Sequence, residues 1–195
     1  WRVGLAWYVA ALGLPVLVGL ICIGLALLFG STTATAIGAF AAFRLLMFVF
    51  AAGEELGWRG YALPKLQGRF GALGASLLLG VLWFVFHLPL FLPGQFFAEL
   101  PMPAYLLLML ATSIIYTWLL NHTGGSVLMA SLLHGSMNAF GILYAGMSAS
   151  QGLWLPALMW SVLALVVIVA TRGNLGWTSS VREKASRLEM EGAKV

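Results

Sequence analysis

Aspartate is absent from this chain of 195 residues, all six acidic residues are glutamate, and charged side chains make up only 8% of the sequence. Soluble globular domains carry about a quarter of their residues as charges, so that class is excluded. The single cysteine, Cys22, stands in an apolar run, which rules out an intrachain disulfide and leaves a lipid- or core-facing thiol. Walker loops, dinucleotide fingerprints, H-E-x-x-H zinc motifs, internal repeats and low-complexity segments are missing as well. The net charge of +4 falls largely on loops and the tail, where it reports topology and gives no reason to propose a nucleic-acid partner.

Apolar residues, by contrast, make up 62% of the chain and fall in long runs. About 20 apolar residues cross a bilayer as a helix, so the pattern predicts an all-α, polytopic transmembrane bundle of about six spans. The spans fall at residues 5–29, within 34–67, and at 71–92, 104–120, 127–147 and 153–170. For the second, hydropathy alone favours 34–53; placing the charged stretch inside the membrane favours 44–67 or a broken helix, with Gly53, Gly57, Gly60 and Pro64 permitting the break. Residues 65–69 read as a basic turn, and Arg44 as an interfacial anchor. Threading six spans puts Arg2, Lys65, Arg69, Arg172, Arg182, Lys184, Arg187 and Lys194 on one side, which predicts a multi-pass protein with its tail in the cytoplasm. The chain begins at Trp1 without a methionine and reads as a fragment or processed form. Its expected divisions are an N-terminal transmembrane region over 1–50, a core over 51–147, a last helix over 148–171 and a charged tail over 172–195. His122, in the turn after the fourth span, reads as a solvated loop residue, and the sequon formed by Asn121, His122 and Thr123 as coincidence.

Within this lipid-compatible background, Gly53-Glu54-Glu55-Leu56-Gly57-Trp58-Arg59 places three ionisable side chains within six residues. Each costs roughly 2.5–3.5 kcal/mol at mid-membrane, so mutual compensation or a function is required. On a helix Glu55 and Arg59 share a face, whereas Glu54 lies about 140° around the axis from Arg59. Glu55 is therefore the acid that pairs, and Glu54 the one free to serve as a general base. The remaining ionisable groups within spans include two histidines. Trp83 lies one turn before His87, and Asn138 one turn after His134, each on the same helix face. An ion pair and hydrogen-bonded core histidines would explain these features singly; together, at compatible depths, they point to a site. Helix rise alone leaves too much scatter in depth to establish that they converge.

In order and spacing these motifs resemble those of the CAAX protease and bacteriocin-processing (CPBP, or Abi) intramembrane proteases, relatives of the type II CAAX prenyl endopeptidases. The adjacent glutamates with an arginine four residues on match Glu54, Glu55 and Arg59; the aromatic four before a histidine matches Trp83 and His87; the histidine four before an asparagine matches His134 and Asn138. Trp83 stands where the pattern usually has phenylalanine and keeps an aromatic wall. The resemblance covers about residues 51–147 and implies an intramembrane endopeptidase acting on a membrane-associated or hydrophobic peptide or protein that enters from the cytoplasmic side. It implies Glu54 as general base, Glu55 with Arg59 as an orienting pair, His87 as partner of water or metal, and His134 with Asn138 as oxyanion stabilisers. Glu54, His87 and His134 would be the ligands of a divalent metal such as zinc, and metal-free activation of water uses the same residues. Two readings from other classes stay open: a non-catalytic immunity or partner-binding protein of the same fold, and a proton-coupled transporter.

Overall fold

The computed structural model describes residues 3–28, 50–140 and 148–178, and these are helical with connecting turns; no strand occurs among them. Helix α1 spans Leu5–Leu28. A short α-helical run over 50–55 then widens into a π-helix, Leu56–Ala62. It continues as α2, Leu63–His87, which ends in a 3₁₀ turn, Leu88–Phe91. Helices α3 (Met102–His122), α4 (Val127–Phe140) and α5 (Ala149–Ala170) follow. In hydrocarbon a backbone must satisfy its own hydrogen bonds, which is why such apolar sequence takes helical form throughout. Leu5, Val9, Leu28, Leu165 and Val169 are among the apolar side chains left on the outside, as lipid contact requires.

Four stretches among the described residues are long and apolar enough to cross a membrane: Leu5–Leu28, Phe50–Phe91, Met102–His122 and Ala149–Ala170. The second is 42 residues long, about twice what one crossing needs. It is in fact a hairpin. Gly71 interrupts it with φ 68° and ψ 176°, a conformation glycine adopts without the penalty of a Cβ. The indole N–H of Trp83 then reaches Glu54 at 2.9 Å, whereas a straight helix would hold those residues about 43 Å apart. The basic turn expected at 65–69 is therefore displaced: those residues continue the helix, and the chain reverses at Gly71. Pro64 stands two residues after the π-helix, in the first turn of α2, where its ring and missing N–H interrupt the regular hydrogen-bond ladder.

Helix α3 is the central element, packed against both α2 and α5, while α1 packs against α4. Along the α2–α3 contact small polar groups replace bulk, and the Ser76 hydroxyl meets Thr117 Oγ1 at 2.7 Å. At Gly80 a Cβ would stand 3.0 Å from Leu110 Cα and 3.1 Å from the Met109 carbonyl oxygen, both backbone atoms that cannot swing aside. Gly80→Val is accordingly expected to push α2 from α3 and to cost about 1–3 kcal/mol of stability, read as a lower thermal midpoint in detergent. Cys22 is fully buried, the core-facing alternative.

The sixth expected span is α5; where the fifth is expected, the described residues give the 14-residue helix α4, which is not among the four stretches long enough to cross. Residues 141–147 lie outside the described part, as does the second span before residue 50, with Arg44. His122 is the last residue of α3, not a loop residue; it remains exposed, with its ring near Trp7 and Trp118. The charged tail expected from residue 172 begins differently. Leu175 and Trp177 are buried, and Asn121 Nδ2 donates both to the Leu175 carbonyl at 3.0 Å and to Gln67 Oε1 at 2.8 Å. One asparagine amide so ties α2, α3 and the segment after α5 together. Residues 179–195 lie outside the described part.

Candidate active site

The end of the run before the π-helix delivers the glutamate pair and the π-helix Arg59, α2 delivers Trp83 and His87, and α4 delivers His134 and Asn138. Glu55 and Arg59 are both buried, at 0% and 1% exposure. Glu55 Oε1 accepts from Arg59 Nη1 at 2.8 Å and from His134 Nδ1 at 2.8 Å. The guanidinium is held between two rings, 4.3 Å from the Trp83 centroid and 4.0 Å from that of Tyr116. Its Nε and Nη2 find no hydrogen-bond partner among the described residues, where the two aromatic faces supply further stabilisation.

Glu54 faces elsewhere, as the helix geometry predicts. It is half-buried and accepts the Trp83 indole N–H on Oε2. His87 Nδ1 lies 2.8 Å from the Trp83 carbonyl oxygen. A carbonyl can only accept, so Nδ1 carries the proton and Nε2 keeps its lone pair. By the same reasoning His134, bound through Nδ1 to the Glu55 carboxylate, keeps Nε2 for other partners.

Glu54, His87, His134 and Asn138 line one cavity of about 700 Å³, whose wall is otherwise largely apolar and aromatic, with Phe50, Phe97, Tyr105, Leu153 and Trp160 among its residues. The six residues singled out from the sequence thus divide into four at the cavity and a buried pair, Glu55 and Arg59, behind them. Two further features escape sequence reasoning. Tyr116, fully buried on α3, closes the sandwich on Arg59, and the Trp83 side chain bonds to the glutamate 29 positions before it. Tyr116 belongs to no short motif; the only sequence signal is an aromatic in a span that must pack against an arginine.

Among the described residues no three His, Cys, Asp or Glu side chains are grouped closely enough to hold a metal ion. The donors as placed do not form a three-ligand set.

Comparison with known proteins bears on the same stretch. Residues 36–140 match the family model described as type II CAAX prenyl endopeptidase Rce1-like. The chain belongs to this family. A relative described as CAAX prenyl protease 2, from Methanococcus maripaludis (strain S2), is 34% identical over 100 residues, covering 48% of this chain and 37% of that relative. The chain therefore spans little more than a third of that relative's length. The Rce1-like stretch contains every candidate residue from Glu54 to Asn138, and with the apolar helices it identifies the chain as an integral membrane protein. In this Rce1-like chain α5 and the buried segment after it lie beyond the matched residues, yet α5 supplies part of the cavity wall.

Proposed function

We propose that this chain is an intramembrane endopeptidase hydrolysing one bond of a membrane-associated or hydrophobic peptide. The observation that carries this reading is the placement of Glu54, His87, His134 and Asn138 around a single cavity, with the Glu55–Arg59 pair buried behind His134. Glu54 takes a proton from water as the oxygen attacks the scissile carbonyl, and His87 Nε2 accepts the other water hydrogen to fix its direction. Negative charge develops on the carbonyl oxygen. His134, in its cationic form with Nδ1–H on the Glu55 carboxylate and a second N–H at Nε2, donates from Nε2 to that oxygen together with the Asn138 amide. The C–N bond then breaks, and Glu54 passes its proton to the leaving amine.

The topology follows in the same reading. Each limb of the Gly71 hairpin is about one bilayer in length, which with α1, α3, α4 and α5 makes six crossings. The two ends of the chain and residues 65–69 then face the cytoplasm, the side from which substrate enters. The protease core occupies residues 51–147, flanked by transmembrane regions over 1–50 and 148–171 and by the tail over 172–195.

The test is cleavage of fluorogenic membrane-compatible peptides, including prenylated ones, by protein purified into liposomes. Wild type is compared with His87→Ala and His134→Ala, each with and without a chelator and with zinc restored. Loss of cleavage in both variants is expected, removal of an oxyanion donor alone costing about 10²–10³-fold. The chelator arm separates metal-dependent from metal-free activation. Equal cleavage by wild type and both variants would defeat the reading.

A further inference from the structure

Trp83, at 3% exposure, meets the site through several different parts of itself. Its face lies against Arg59, its ring centroid stands 5.2 Å from that of His134 in a T-shaped pair, and its carbonyl oxygen accepts from His87. A flat apolar ring at this position would keep those three relations. The fourth is different in kind, because the 2.9 Å bond to Glu54 Oε2 needs an N–H on the ring.

The geometry points to Trp83 as a positioning residue whose indole N–H holds one oxygen of the Glu54 carboxylate and so commits the other to water in the cavity. The inference rests on Glu54 being the base. A glutamate carboxylate swings on three side-chain torsions, and Glu54 is only half-buried, so its own packing does not fix it. The ring that must fix it is itself immobilised, stacked on a guanidinium whose carboxylate partner is fully buried. A hydrogen bond to an ionised acceptor is shorter and stronger than one between neutral groups, and a reacting group held in line with its target avoids orienting at the moment of reaction. The N–H, already engaged with Glu54, adds nothing to peptide affinity. Its removal acts on turnover.

Trp83→Phe keeps an aromatic face for Arg59 and removes the N–H, along with the extra bulk of the indole. It is expected to lower kcat by about 10–100-fold, the worth of a hydrogen bond to a charged group, with KM within about twofold of wild type; a purely structural loss would not divide in this way. A second measurement needs neither substrate nor the Trp83→Phe fold to be perfect. Among the eight tryptophans, the indole N–H resonance missing from Trp83→Phe identifies Trp83, and in Glu54→Gln that resonance moves upfield as the charged acceptor is lost. If it stays in place in Glu54→Gln, or if Trp83→Phe keeps wild-type kcat while Glu54→Gln is inactive, the positioning role is overturned and the base assignment stands. Full activity of Glu54→Gln overturns the base assignment, and the positioning role with it.

Discussion

Glu54→Gln is expected to reduce kcat by about 10²–10⁴-fold, the usual contribution of a general base, while KM and thermal stability stay near wild type. The substitution is close to isosteric, and Gln Oε1 still accepts the Trp83 N–H, so packing is preserved. What is lost is the capacity to take a proton from water and return it to the leaving amine. Single-turnover cleavage in liposomes, paired with thermal unfolding of the same preparation, checks both halves. A variant that unfolds early would mean that Glu54 is structural, and one that cleaves normally would mean that it is not the base. Asn138→Ala serves as the graded comparison, since it removes a single oxyanion donor and leaves the base in place.

The second large effect is on stability. Arg59→Met is expected to destabilise the fold by about 3–5 kcal/mol, because it leaves the Glu55 carboxylate buried without its cation. Glu55→Leu alone carries a similar penalty for the opposite reason, stranding the guanidinium between Trp83 and Tyr116. The double substitution Glu55→Leu with Arg59→Met is expected to recover most of the loss, since an apolar pair of similar volume replaces a buried ion pair at little net cost. It is not expected to recover cleavage, because His134 Nδ1 no longer finds Glu55. Denaturation followed by circular dichroism, with peptide cleavage on the same samples, separates the two roles. Should the double variant be as unstable as either single one, burial of the ions is not what sets the cost.

How much of this was legible beforehand depends on range. The Glu55–Arg59 pair was readable because its members are one helical turn apart, and four residues on a helix fix a face. The same rule placed Trp83 by His87 and Asn138 on the cavity face with His134. Convergence of the three motifs was not readable, since it depends on tilt, on the reversal at Gly71 and on packing about α3. The reversal itself was misplaced by a few residues because Lys65, Gln67, Gly68 and Arg69 have turn-like composition, yet they lie on a helix whose Gln67 and Leu63 are buried. Composition likewise hid the buried stretch after α5, where Leu175 and Trp177 are flanked by glycine, asparagine and threonine and pass for the start of a solvated tail. Tyr116 lies 57 positions beyond the arginine it covers, and no local pattern relates the two.

The hairpin at Gly71 also bears on how such a chain is made. The acid, its buried ion pair and the tryptophan that touches both lie within Glu54 to Trp83, on two limbs that precede α3 in the chain. Delivered to the bilayer as one unit, the hairpin brings Arg59 already matched by Glu55, so the insertion machinery handles a compensated segment where a lone arginine would cost several kcal/mol. The half-site carrying the glutamates therefore precedes, during biosynthesis, the half carrying His134 and Asn138. Until α4 arrives, the nascent chain holds Glu54 and Trp83 but lacks His134 and Asn138.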